Sequence, residues 1–185
     1  MPQVIFSHKK TREKEYLNQL LGEEEWFESE NFDAFLSKNK DSIEKEIRKK
    51  HDSLSKKIIW LRKEWRKIGK DYFKTVKKFG HKKLHSIYKC HVSRFGPEGK
   101  YARPNFLFIR LRTNRDKQRV METIGHELLH LLFADIFESK KLNYAEREGM
   151  VDALVLQSDL VNIFPHYKKQ SIGKVRRKLL ESILQ

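Results

Sequence analysis

The chain of 185 residues is 38% hydrophobic and carries a formal net charge of +15, enough apolar material for one core with an appended helical segment. Its single cysteine, Cys90, excludes an intramolecular disulfide and suits a reducing, cytoplasmic setting. No apolar run is long enough for a membrane span, and the first residues lack the pattern of a signal peptide, so neither is expected.

A short strand is expected at Val4-Ile5-Phe6. Residues 11–39 then place Tyr16, Leu17, Leu20, Leu21, Trp26, Phe27, Phe32, Phe35 and Leu36 at helical intervals, and Gly22 and Ser29-Glu30-Asn31 break them into two or three short helices. Asp41 or Ser42 is placed to cap the next element. From Ile43 to Phe79 apolar residues step by three and four, through Leu54, Ile58, Leu61, Trp65, Ile68 and Tyr72, with only Gly69 against a helix. Most of the positive excess lies in residues 42–83. One reading of this basic helix is a surface for nucleic acid, with Trp60 and Trp65 as contacts. The favoured reading is an amphipathic helix whose stripe packs on the core while its lysines and arginines are solvated. Gly80 ends it.

Beyond Leu84 the period changes. Ile87 to Phe95 reads as a strand, Gly96-Pro97-Glu98-Gly99 as a turn, and Asn105 to Arg112 as a second strand, which together predict an antiparallel hairpin. His81, His85, Cys90 and His91 form a cluster with ligand character, for which Cys90 as a buried strand residue is the better reading than a second zinc site. Thr113 to Asp116 caps a helix running to about Phe133, with Val120, Ile124, Leu128, Leu131 and Leu132 toward the core.

That helix carries His126-Glu127-Leu128-Leu129-His130. Positions i and i+4 lie one above the other, so both imidazoles can reach a single ion, while Glu127 points about 100° away and is left to act on water. With eight histidines in the chain the pentapeptide alone is weak, and a third ligand is required. Tyr144 to Val155 reads as another helix. Glu148 on it is within reach of the same ion, and Asp152, one turn on, is placed to accept the free ring N–H of a ligating histidine. Glu146 is the rival ligand but has no such partner one turn later.

The pair His126-Glu127-Leu128-Leu129-His130 and Glu148-Gly149-Met150-Val151-Asp152 resembles the gluzincin metallopeptidases, and its short spacing resembles the single-domain minigluzincins. The resemblance covers about residues 84–164. It implies an α+β fold with a small zincin-type core, in which antiparallel strands lie over an active-site helix and a glutamate helix; the mainly helical N-terminal segment before it is read from its apolar spacing and lies outside the resemblance. It implies one Zn2+ per chain held by His126, His130 and Glu148, with Glu127 as general base and acid and Asp152 supporting His126. The strand Phe106 to Arg112 would form the upper edge of the cleft, binding an extended peptide by main-chain pairing.

The expected activity is zinc-dependent hydrolysis of peptide bonds in a protein or peptide substrate. Tyr144, His166 and Tyr167 are the candidates to stabilise the transition state. Residues 1–83 form a basic helical segment, 84–170 the catalytic core and 171–185 a basic amphipathic tail with Leu179, Leu180, Ile183 and Leu184 on one side. Either flanking segment could cover the cleft and hold a zymogen latent. The competing expectation is a nucleic-acid-associated protein working through residues 42–83, its zinc either structural or part of a protease delivered to DNA.

Overall fold

The computed structural model describes residues 1–9, 11–13, 15–16, 40–80, 84–93, 96–111 and 117–185, with side chains from residue 54 onward in the long helix. The helices expected from Leu17 to Leu36, His81 and the cap at Thr113 to Asp116 lie outside them. The fold is mixed α+β. In chain order it comprises β1 (Gln3–Ser7), α1 (Lys40–Lys78), β2 (Ile87–Ser93), β3 (Gly99–Ala102), β4 (Phe106–Arg110), α2 (Lys117–Ser139), α3 (Tyr144–Leu156), α4 (Leu160–Ile163) and α5 (Arg177–Leu184). None of the described helices is long and apolar enough to cross a membrane.

The four strands form one sheet in the order β1-β2-β4-β3. The expected antiparallel hairpin is corrected here: β2 and β4 are parallel, with Cys90 opposite Leu107 and Val92 opposite Ile109. The chain reverses twice between them rather than once. The residues after Gly96-Pro97-Glu98 form β3, which runs antiparallel to β4, and β4 therefore slots between β2 and β3. The same insertion corrects the cleft edge. β4 has both edges paired, and the outer edge belongs to β3.

Alternation divides the sheet into two faces. Phe6, Tyr88, Cys90, Val92, Leu107 and Ile109 are buried on the inner face, which packs on the helices. Gly99 and Tyr101, opposite Ile109 and Leu107, share it. Cys90 is buried, and the apolar surroundings push its thiol up, as expected of a packing residue. His91 and Ser93 point the other way, to an outer face partly covered by His8, Glu13 and Tyr16, where Tyr16 stacks on Phe108.

Helix α1 packs its stripe. Leu54, Ile58, Leu61, Trp65, Tyr72, Phe73, Val76 and Phe79 are buried, and Phe73 stacks on Tyr88 of β2. A Cβ at Gly69 would lie 2.8 Å from Trp65 Nε1, so the glycine that argued against helix is what seats the indole. Trp65 is thus a core residue, and Trp60 is partly buried with Lys117 over its ring.

Helix α2 is the centre of the molecule and runs to Ser139, six residues beyond the expected end. Every residue from Val120 to Leu131 is buried, because the sheet lies on one side and α1, α3 and Phe164 on others. The hydroxyl of Tyr72 donates to Gly125 O at 2.7 Å, and a Cβ at Gly125 would meet the Phe164 ring at 2.7 Å. Burial raises the Tyr72 hydroxyl well above its ordinary value, so it stays a neutral donor. Helix α1 and Phe164 thereby press on the motif helix one residue before His126.

Candidate metal centre

Two helices supply the site. Helix α2 presents His126 and His130 one turn apart, and α3 presents Glu148. Asn143 starts α3 with a capping box, its side chain accepting from Glu146 N while Glu146 accepts from Asn143 N. Arg176 makes two further bonds to the Glu146 carboxylate. Those contacts commit Glu146 to the helix end and leave Glu148 as the carboxylate that faces the histidines.

The donor atoms converge. His130 Nε2 lies 3.1 Å from His126 Nε2 and 3.0 Å from Glu148 Oε1, and His126 Nε2 lies 3.2 Å from Glu148 Oε2. Zinc bonds of about 2.0–2.1 Å at tetrahedral angles separate ligand atoms by about 3.3 Å, so these spacings fit one such ion. The donor set of two imidazoles and a carboxylate also suits it. Two ring nitrogens facing each other at 3.1 Å otherwise need a proton between them. Burial alone would raise the Glu148 carboxyl, but hydrogen bonds from His126 and His130 outweigh it and hold it at about 2. Glu127 is the opposite case. Burial pushes its carboxyl above the ordinary range, and Glu148 adds to this, against the pull of His130 and His126.

Behind His126 lies a chain of supports. Its Nδ1 is 2.7 Å from the Tyr167 hydroxyl, which donates to Asp152 Oδ1 at 2.7 Å. Asp152 Oδ1 is itself 3.5 Å from the ring nitrogen, so the support expected to be direct is completed through Tyr167. Asp152 also accepts from Gln170 N, Ser171 N and Ser171 Oγ. Burial and Asp152 both raise the Tyr167 hydroxyl, which keeps its proton for that bond. Tyr167 therefore stands on the far side of His126 from Glu148.

The other two proposed stabilisers stand apart from that chain. Tyr144 is exposed in the first turn of α3, where partial desolvation and the carboxylates of Glu148 and Glu127 raise its hydroxyl. His166 is exposed on the turn after α4.

Strand β3 closes the site from the sheet side. Tyr101 stacks on the His130 ring at 4.8 Å and 9°. A Cβ at Gly99 would come within 2.5 Å of Glu127 Oε1 and 2.6 Å of Thr123 Cγ2, so only glycine lets the strand approach the helix here. His130 Nδ1 is buried with no hydrogen-bond partner among the described residues. Sequence reasoning missed Gly99, Tyr101 and Ser171. Gly99 was read as turn chemistry, and Tyr101 sits in a strand of four residues, too short to show a period.

The tail packs onto α3. A Cβ at Gly149 would lie 2.5 Å from Lys174 O, Lys174 N donates to Ala145 O at 3.0 Å, and Leu180 and Ile183 of α5 are buried.

Comparison with known families, curated proteins and solved structures finds no match for the chain.

Proposed function

We propose that the protein is a zinc metalloendopeptidase of the gluzincin type, with a minigluzincin-like core formed by the sheet, α2 and α3. His126, His130 and Glu148 hold the metal. The observation that carries this reading is the convergence of His126 Nε2, His130 Nε2 and the Glu148 carboxylate within 3.0–3.2 Å of one another, with a second carboxylate, Glu127, left beside them. Glu148 is drawn into the histidine pair and its proton affinity falls, while Glu127 is left outside the pair with its proton affinity raised. Environments that push two carboxyl groups apart separate an electrostatic role from a proton-transfer role.

Bound there, zinc would supply Lewis acidity toward a peptide carbonyl and toward water. The chain's own groups do the rest. Glu127 takes a proton from the attacking water and returns it to the departing amine, and its burial favours holding the proton between the two transfers. Tyr167 and Asp152 fix the His126 ring so that Nδ1 carries its hydrogen toward Tyr167 and Nε2 faces Glu148. The outer edge of β3, which carries Gly99 beside Glu127, is the strand available for main-chain pairing with an extended substrate. Tyr144 is a candidate for oxyanion stabilisation, since its hydroxyl feels the carboxylates of both Glu127 and Glu148.

Latency through the tail has less support than a structural role for it, because residues 170–174 fasten Asp152 and α3. The alternative of a nucleic-acid-associated protein rests on the charge of residues 42–83, and the burial of Trp65 takes away one of its two proposed stacking contacts.

The test is Glu127→Gln in the zinc-loaded protein with an unfolded protein substrate. Cleavage should fall by about 10²–10⁴-fold, the usual share of general acid–base catalysis, with metal content unchanged. Cleavage at the original rate would sink the assignment.

A further inference from the structure

The outer face of the sheet holds a second cluster of histidines and a carboxylate. Strand β1 ends at Ser7, opposite His91 of β2, and His8 extends the pairing by one step through its side chain, Nδ1 donating to Val92 O at 2.8 Å. A carbonyl only accepts, so in the neutral His8 ring Nε2 carries the lone pair. The His8 and His91 rings are stacked at 5.6 Å and 24°. Glu13 is 1% exposed and sets Oε2 2.8 Å from His91 Nε2, while Ser93 Oγ donates to Oε1 at 2.9 Å. His8, Glu13 and His91 each offer a ligand atom within 4.8 Å of the others.

One atom in this cluster stands out. His91 Nδ1 belongs to a ring only 1% exposed and has no hydrogen-bond partner among the described residues. A proton shared between Nε2 and Glu13 satisfies one side of the ring and leaves the other without a contact, which buried polar atoms seldom tolerate. An ion between His91 Nε2 and Glu13 Oε2 would replace the shared proton there, with the lone pair of His8 as its third donor and the ring hydrogen of His91 left on Nδ1.

We propose that His8, Glu13 and His91 hold a second divalent cation of the zinc class, on the opposite face of the sheet from His126, His130 and Glu148. Two imidazoles with one carboxylate favour Zn2+, Co2+ or Ni2+ over Mg2+ and Ca2+. The supports that orient metal-binding side chains are already present: a backbone carbonyl on His8 Nδ1 and a serine hydroxyl on Glu13. The role is structural. The ion ties His8 and Glu13 to β2, with Glu13 and His91 78 residues apart in sequence.

The experiment uses the full chain carrying His126→Ala and His130→Ala, which lacks the first centre, dialysed against Co2+ or Zn2+ and then analysed for bound metal. One ion per chain should remain, and adding His91→Ala should remove it. His8→Gln alters a partly exposed ring, with folding followed by circular dichroism. It should weaken retention by more than the roughly 100-fold upper range for losing a supporting partner. If the double variant retains no ion, or retains one that survives both His91→Ala and His8→Gln, the proposal is overturned. A wild-type protein whose one ion disappears in the double variant overturns this site and leaves the first standing. One whose single ion persists there does the reverse.

Discussion

The two faces of the sheet carry nearly the same donor set in opposite settings. On the inner face, His126 and His130 share one helix, Glu148 comes from a second, and a carboxylate, Glu127, is left over beside them. On the outer face, His91 comes from a strand and His8 and Glu13 from the N-terminal segment, and the Glu13 carboxylate is committed at both oxygens. The difference is one uncommitted carboxylate. Where every acidic oxygen is bound, the cluster can fasten chain segments; where one remains desolvated and close, it can also move a proton. Two packed helices hold the inner donors within 3.0–3.2 Å of each other. The outer donors depend on strand register and on the docking of one segment.

The largest effect expected from breaking this comparison comes from removing residues 171–185. The cut deletes the Ser171 donors to Asp152 and the contacts of Gly173 and Lys174 with α3, and it strips Leu180 and Ile183. At about 1.5–3 kcal/mol for each buried aliphatic side chain, roughly 3–6 kcal/mol of stability should go, seen as a lower melting temperature. Zinc affinity at the inner site should fall with it. A truncated protein that melts as before and cleaves faster would make the tail a latch instead of a support.

Tyr167→Phe is the next step down. It deletes the hydroxyl between His126 Nδ1 and Asp152 Oδ1 while keeping the ring. Loss of such a supporting partner typically costs 10–100-fold in metal affinity, and a change of about that size is expected at the inner site by competition with a chelator. Metal retained by the outer cluster should be unaffected. Equal weakening of both would mean that the faces are coupled through the sheet and that their independence is wrong.

The pairs within each helix were legible in the sequence because those relations are local: one helical turn joins His126 to His130, and another joins Glu148 to Asp152, while the meeting of Glu148 with the histidines is tertiary. The stripe of α1 was legible for the same reason, since a period of 3.6 residues needs no tertiary information. The sheet was legible only as strands. Nothing in Ile87 to Arg112 announces that β3 takes the edge of β4 and makes β2 and β4 parallel, because pairing direction depends on where the chain reverses, and a four-residue strand leaves no periodic trace. Tyr167 is one of three oxyanion candidates in the sequence, and its place on the Nδ1 side of His126 was not legible there, since sequence gives the reach of a loop and not its approach. Glu13 and His91 carry no spacing signal at all; register between β1 and β2 and the fold of the segment after Ser7 bring them together.

Gly99→Ala should have the smallest of these effects and is the most specific to the inner face. The new methyl group would meet Glu127 Oε1 at 2.5 Å and Thr123 Cγ2 at 2.6 Å. Glu127 can swing its carboxylate away, whereas Thr123 is fixed on α2, so the strand edge also has to move back until that contact is an ordinary one. Neither motion touches His126, His130 or Glu148, and metal affinity should hold. Displacing the proton-transfer group should lower the turnover of an unfolded substrate about tenfold, equivalent to ~1.4 kcal/mol on the barrier. The same substitution should leave the outer cluster intact, because Gly99 lies on the inner face of the sheet. If turnover is unchanged, Glu127 has room to spare and the tight approach of β3 serves packing alone. If metal affinity falls instead, the Tyr101 ring on His130 has moved with the strand, and β3 belongs to the ligand framework more than to the proton-transfer group.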